Sequence, residues 1–116
     1  MVVDDNPDIV SMLSMMLPRV VDNCQVVSAN NGSQGLDLLK NMTPDVILTN
    51  WRMPQMDGMT FLSEVRQQSA WDEIRLVMMS ALATPDVQDE ASANGAEAFL
   101  SKPFTLVDLR LLFQGL

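Results

Sequence analysis

The sequence predicts an α/β protein in which five short strands and five helices alternate to form a doubly wound, five-stranded parallel sheet. Apolar segments of strand length alternate with longer segments of helical spacing along the chain, which is typical of a parallel sheet covered by helices. Residues 46–48 form an apolar run without charge, as expected of a central strand buried on both faces. Polar residues follow the predicted strands, and ligands bind at the carboxyl edge of such sheets.

The first three strands are predicted at residues 1–3, 25–29 and 46–48. Asn6 is the expected N-cap of the first helix, because its side chain can accept a hydrogen bond from a free backbone N–H, and Pro7 suits the first helical position. Pro18 is expected to end or kink this helix. The second helix is predicted after the turn at residues 30–32, and Pro44 marks the end of this unit before the third strand.

The last two strands are predicted at residues 75–79 and 98–101. A third helix is expected over residues 59–67, with Phe61, Leu62 and Val65 facing the core. A fourth helix begins at residues 84–86 and ends at 94–95, and a variant of the capping box opens the fifth helix at Thr105. No repeat or linker interrupts the chain, so residues 1–116 are predicted to form a single domain.

Composition narrows the possible functions. The formal net charge of −8 argues against nucleic acid or an anionic membrane surface as a partner. The chain has no histidine, which excludes histidine-based nucleophile activation and phospho-histidine, and its single cysteine, Cys24, excludes an internal disulfide and is expected to be a small buried apolar residue. No apolar run approaches the length of a membrane span. We therefore expect a cytoplasmic protein.

Five polar residues should meet where the strands end. Asp4, Asp5, Asn50, Ser80 and Lys102 each lie at the carboxyl end of a predicted strand. Taken singly, each is an ordinary turn or loop residue. Together they describe a pocket with two carboxylates, a hydroxyl group and an ammonium group, and this set suits Mg²⁺ together with a phosphoryl group.

These pocket residues and several others along the chain match the pattern of a known family. The chain resembles the receiver domains of two-component response regulators over essentially its whole length, through residues 4–5, 53–58, 80–81, 95–96 and 102–103 together with Phe99. The resemblance implies a flavodoxin-like or CheY-like sheet in the strand order 2-1-3-4-5. It also implies a signalling module rather than an enzyme, with a histidine kinase or a histidine phosphotransfer protein as partner.

The resemblance assigns a role to each residue of the metal site. By position, Asp4 and Asp5 match the acidic pair that holds Mg²⁺, and the backbone carbonyl of Arg52 matches a further ligand. The bond between Lys102 and Pro103 is expected to be cis, as in the family.

It also assigns roles on the phosphoryl side of the pocket. Ser80 matches the hydroxyl residue that bonds a phosphoryl oxygen, and Lys102 matches the lysine that pairs with the phosphoryl group. Phe99 matches an aromatic residue that swings inward on activation, although an ordinary core phenylalanine is the alternative for this position.

The chain departs from the family pattern at the residue that would carry the chemistry. The phospho-accepting aspartate of the family falls on Asn50, and an amide cannot form an acyl phosphate. A third carboxylate about 4 Å from the others would add about 4 kcal/mol of repulsion per pair at an effective dielectric constant near 20. Asn50 removes this charge, so weaker Mg²⁺ binding is expected. Both a natural loss of the acceptor and an engineered Asp→Asn change fit the sequence.

Two other functions are alternatives to that of a phosphorelay receiver. A pseudo-receiver could act as a phosphate-independent protein–protein interaction module. A phosphatase of the haloacid dehalogenase type also places acids at strand ends, but it needs an Asp-x-Asp motif that neither residues 4–5 nor residues 50–52 supply.

The fifth helix is more apolar than one buried stripe requires, with Leu106, Leu109 and Phe113 expected to face the sheet and Val107 and Leu111 expected to point away. The face of the fourth helix, fifth strand and fifth helix is thus a candidate for self-association, for an output partner, or for cover by further sequence.

Overall fold

The computed structural model describes all 116 residues, and five parallel strands form one sheet, as the sequence predicts. The strand order is β2–β1–β3–β4–β5, which is the order expected from the family resemblance. The strands are β1 (Val2–Val3), β2 (Ser28–Ala29), β3 (Val46–Asn50), β4 (Arg75–Ser80) and β5 (Ala98–Ser101).

Five α-helices connect the strands, and each begins where a polar side chain accepts a hydrogen bond from a first-turn backbone N–H. The helices are α1 (Pro7–Met16), α2 (Gly32–Leu39), α3 (Gly58–Arg66), α4 (Pro85–Ala93) and α5 (Leu106–Gln114). Their N-caps are Asn6, Asn31, Asp57, Thr84 and Thr105. The capping box predicted at Thr105 is present, and α1 gives way to a 3₁₀ turn containing Pro18, as expected.

The second strand is shorter than predicted. Only Ser28 and Ala29 pair with β1, whereas the sequence indicated a strand over residues 25–29. The reason lies in the neighbour: β1 is only two residues long, so it offers β2 only two pairing positions. Just before β2, one further hydrogen bond joins the two segments, from the Val2 N–H to the Val27 carbonyl.

Two apolar layers cover the sheet. Alternate residues of β4 separate between them, because side chains of a strand point to opposite faces: Leu76 and Met78 belong to one layer, and Val77 and Met79 to the other. The first layer includes the inward faces of α2, α3 and α4, with Phe61, Leu62 and Val65 fully buried as predicted, and the second includes those of α1 and α5.

The fifth helix only partly follows the prediction. Leu109 is fully buried, and Phe113 packs against the α1/α5 layer, but Leu112 rather than Leu106 is the other leucine that joins this layer. Val107 and Leu111 point away, with exposed fractions of 63% and 60%.

Two further features complete the description of the fold. Cys24 is half-buried at the wall of a cleft at the amino edge of the sheet, so its expected burial is incomplete. None of the helices has the length and apolar character that a membrane crossing requires.

Candidate functional site

Backbone hydrogen bonds align the carboxyl ends of the three strands β3, β4 and β5. The Trp51 N–H donates to the Met79 carbonyl at 3.2 Å, and the Lys102 N–H donates to the Ser80 carbonyl at 2.9 Å. Because β1 pairs with β3 on the other side, Asp4 also reaches this edge. The parallel sheet therefore brings distant parts of the chain into one pocket.

Lys102 is the centre of this pocket. Its Nζ donates to Asp4 Oδ2 at 2.8 Å and to Asn50 Oδ1 at 3.1 Å. Asp4 is completely buried, and only 16% of the Lys102 side chain is exposed. The ammonium group thus neutralises a carboxylate that water cannot reach, and it also holds the amide at the end of β3.

Asn50 uses the other half of its amide to hold the loop that follows it. Its Nδ2 donates to the backbone carbonyl of Arg52 at 2.8 Å. Since lysine only donates and a carbonyl only accepts, this orientation of the amide is the one that satisfies both neighbours. Asn50 therefore connects the loop after β3 to the lysine after β5.

The acidic pair is split between two environments. Asp4 accepts from Lys102 through one oxygen and from the Asn6 backbone N–H, at 3.0 Å, through the other. Asp5, the next residue, is exposed to solvent. Asp4 is therefore part of the hydrogen-bonded network, while Asp5 lies outside it.

The loop from β3 to α3 is tightly constrained. The Met56 N–H donates to the Pro54 carbonyl at 2.8 Å, and Gln55 between them has a φ of 67°. This is a γ-turn with positive φ, a rare and strained conformation for a residue other than glycine. At the end of the loop, a Cβ on Gly58 would overlap the carbonyl oxygen of Asn50, so only glycine fits there.

Ser80 and Phe99 do not join this network. The Ser80 hydroxyl is buried and accepts from the Leu82 backbone N–H at 3.1 Å. Phe99 is half-buried on β5 and packs against the layer that α3 and α4 cover. The network itself thus contains Asp4, Asn50, Lys102 and the Arg52 carbonyl. The Lys102–Pro103 bond is cis, as expected.

One contact of the site has no counterpart in the sequence-based prediction. The Arg52 guanidinium lies 3.8 Å from the centre of the Trp51 ring, which is a cation–π arrangement. An arginine directly after a tryptophan was the available signal, but adjacent residues usually point apart, so spacing alone did not predict this contact. It places a positive group at the rim of the pocket.

The oxygen donors fit a divalent cation poorly in this arrangement. Both oxygens of Asp4 and the Arg52 carbonyl are already hydrogen-bonded within the protein, and Asn50 offers an oxygen that is bonded to Lys102. No group of three histidine, cysteine, aspartate or glutamate side chains is placed to hold a metal. Mg²⁺ demands near-octahedral oxygen ligands, and of the three expected ligands only Asp5 makes no hydrogen bond within the protein.

Comparison with known proteins agrees with this architecture. Residues 1–114 match the family model described as the response regulator receiver domain. The chain belongs to this receiver family. Receiver domains are signalling modules of two-component phosphorelay systems, in which they interact with histidine kinases and phosphotransfer proteins.

Curated proteins that contain a similar sequence show how much of a longer protein this receiver corresponds to. The chain is 34% identical to the regulatory protein AtoC of Escherichia coli over 114 residues, which cover 98% of this receiver and 24% of AtoC. Across the curated relatives that it matches first, the receiver spans between 7% and 64% of their length.

Solved structures give the same fold. The chemotaxis response regulator CheY4 of Vibrio cholerae superposes with a TM-score of 0.90 at 31% identity, over 98% of this receiver and 93% of CheY4. The receiver domain of sensor histidine kinase PA1611 from Pseudomonas aeruginosa superposes with a TM-score of 0.86 at 24% identity, over 98% and 92% of the two chains. That protein holds a magnesium ion in its active-site cleft.

Proposed function

We propose that this chain is a phosphorelay receiver whose pocket does not accept a phosphoryl group at position 50. The observation that carries the proposal is Asn50 at the carboxyl end of β3, within hydrogen-bonding distance of Lys102. An amide nitrogen has no available lone pair for attack on phosphorus, and the amide oxygen is a far weaker nucleophile than a carboxylate. The whole chain, residues 1–116, acts as one receiver domain in this proposal.

The remaining residues of the pocket take the roles that the family pattern gives them. Ser80 and Lys102 would contact phosphoryl oxygens, and Phe99 would be the mobile aromatic residue. The family pattern makes Asp4, Asp5 and the Arg52 carbonyl the ligands of Mg²⁺, which neutralises phosphoryl charge when bound. In this chain Asp4 and the Arg52 carbonyl are hydrogen-bonded within the pocket, so the ion would have to compete with those bonds. We propose that Asn50 weakens this metal binding, because it removes a negative charge from the ligand set.

The proposed partners follow from the family and from the charge. A histidine kinase or a histidine phosphotransfer protein would dock next to the pocket, and an output partner would use the face of α4, β5 and α5. The net charge of −8 disfavours nucleic acid as a direct ligand of this chain. A cytoplasmic location and the absence of enzymatic activity stay predictions.

A second candidate is a phosphate-independent interaction module. It is favoured by the completeness of the network, since no buried side-chain polar atom in the chain lacks a hydrogen-bond partner. A pocket whose polar groups satisfy one another needs no ligand for stability. In this version, binding of a partner protein would carry the signal without any phosphoryl transfer.

Intact mass spectrometry tests the proposal. The chain and its Asn50→Asp variant are incubated with Mg²⁺ and acetyl phosphate, and we expect only the variant to gain one phosphoryl mass. That result would identify a competent receiver pocket that Asn50 blocks. A gain by the unchanged chain would refute the proposal, and a gain by neither would favour the interaction module.

A further inference from the structure

The Asn50 side chain does more than leave the pocket without a nucleophile. It is the one group that joins the loop after β3 to the loop after β5, through the Arg52 carbonyl on one side and Lys102 on the other. Lys102 continues the chain of contacts to Asp4, and Asp4 continues it to the backbone of Asn6. The three loops that surround the pocket are therefore linked without any added ion.

The two neighbours of Asn50 have opposite hydrogen-bonding character. Lys102 can only donate, and the Arg52 carbonyl can only accept, so a group with one donor and one acceptor is needed between them. A carboxylate at position 50 would place an acceptor where Asn50 Nδ2 now lies, 2.8 Å from the Arg52 carbonyl oxygen. Two oxygens at that distance, with no proton between them, repel unless a cation lies close by.

The loop held by this amide needs support. Gln55 has a φ of 67° within a γ-turn, and the loop is fixed at only a few points outside it. These are the hydrogen bonds from Asn50 to Arg52, from the Gly58 N–H to the Trp51 carbonyl at 2.7 Å and from the Gly32 N–H to the Met56 carbonyl at 3.2 Å. Loss of the first would remove the bond that ties this loop to the pocket.

We propose that Asn50 is a positioning residue that replaces the metal ion as the link between the β3–α3 loop and Lys102, so that this pocket keeps one arrangement whether or not Mg²⁺ is present. This inference rests on the proposed function and deepens it, because it makes the receiver insensitive to the cation as well as to the phosphodonor. Its state then responds to protein partners alone.

Magnesium titration of three chains tests this inference. Trp51 fluorescence and the thermal midpoint are measured with EDTA and with increasing MgCl₂ for the unchanged chain, Asn50→Asp and Asn50→Ala, all in a Trp71→Phe background that leaves Trp51 as the only indole. We expect the unchanged chain to show no saturable response, or an affinity at least about tenfold below that of Asn50→Asp.

The variants separate the role of the link from the role of charge. We expect Asn50→Asp to melt at a lower temperature in EDTA and to recover with Mg²⁺, because the cation would then occupy the place of the amide proton. Asn50→Ala should also melt lower, and Mg²⁺ should not restore it, because the link to Arg52 is absent. Equal melting of Asn50→Ala and the unchanged chain would overturn the positioning role.

Failure of this inference is distinguishable from failure of the proposed function. Mg²⁺ binding by the unchanged chain as tight as by Asn50→Asp would overturn the metal-replacing link, even if no phosphoryl mass appears. Conversely, a phosphoryl mass on the unchanged chain would refute the proposed function, whatever the titration shows. The two readouts use the same proteins and different signals.

Discussion

At the scale of single residues, the buried ion pair of Lys102 and Asp4 carries the largest expected effect. Replacement of Lys102 by Met would leave the completely buried Asp4 carboxylate without its counter-charge. We expect the free energy of unfolding to fall by about 3 kcal/mol, since removal of one partner of a buried pair is strongly destabilising. Urea denaturation at neutral pH measures this loss.

The matched control removes both charges. Asp4→Asn combined with Lys102→Met should be less destabilised than Lys102→Met alone, because no unpaired charge stays buried. If the double variant is the less stable of the two, the loss of stability in Lys102→Met does not come from the unpaired charge of Asp4.

Gly58 is the second residue with a sharp prediction. A methyl group at this position would overlap the Asn50 carbonyl oxygen, so Gly58→Ala must displace the end of β3 or the start of α3. We expect a loss of about 2 kcal/mol in the free energy of unfolding, with a change in Trp51 fluorescence. Gly115→Ala is the control, because its Cβ would meet the Leu112 carbonyl oxygen at an ordinary 3.6 Å, and its stability should change little.

At the scale of structural elements, the β3–α3 loop is strained by its sequence. Gln55 occupies a positive φ that glycine adopts without steric penalty. We expect Gln55→Gly to raise the free energy of unfolding by about 0.5–1 kcal/mol, as measured by denaturant titration. Gln68→Gly, at an extended position with a φ of −100°, should lower it instead. A similar effect at both sites would argue against strain at Gln55.

The fifth helix depends on its capping box. Thr105 accepts from the Asp108 N–H at 3.2 Å, and Asp108 accepts from the Thr105 N–H at 2.8 Å. We expect Thr105→Val to lower the free energy of unfolding by about 1 kcal/mol, because two helix-end donors lose a partner or its alignment. Thr60→Val, at an exposed position inside α3, is the matched substitution and should be close to neutral.

The elements also show which features a sequence can reveal. Helix starts were predictable because a cap such as Asn6 acts on N–H groups a few residues away. The length of β2 was not, since it depends on how far β1 extends. For the pocket, strand ends pointed to Asp4, Asn50 and Lys102, whose side chains do meet, but also to Ser80 and Asp5, which do not join them. The hydrogen bond from Asn50 to Arg52 depends on the folded course of a loop, and no local pattern encodes it.

At the scale of the whole molecule, charge governs what the exposed face of α5 can bind. Val107 and Leu111 lie one turn apart and are largely exposed, while α4 on the other side of β5 presents Asp86, Asp89 and Glu90 to solvent. A second copy would bring the same acids, whereas a basic partner would complement them. We therefore expect sedimentation velocity at low salt to give a monomer at all accessible concentrations.

Two results would bear on this expectation. A dimer that forms with increasing concentration and disappears in Leu111→Glu would contradict it and identify the face as a self-association surface. If the unchanged chain and Leu111→Glu are both monomeric, the exposed face of α5 is a surface for a different protein.

The contact between Lys102 and Asp4 joins residues 98 positions apart in the chain. Such a contact closes almost the entire polypeptide into one loop, and the entropy of closing it must be met before the contact contributes. During synthesis, β1, β3 and β4 can pair while Asp4 still lacks its counter-charge, because Lys102 follows β5. The pocket is therefore completed only when the last strand docks, so its ion pair forms late in the assembly of the sheet.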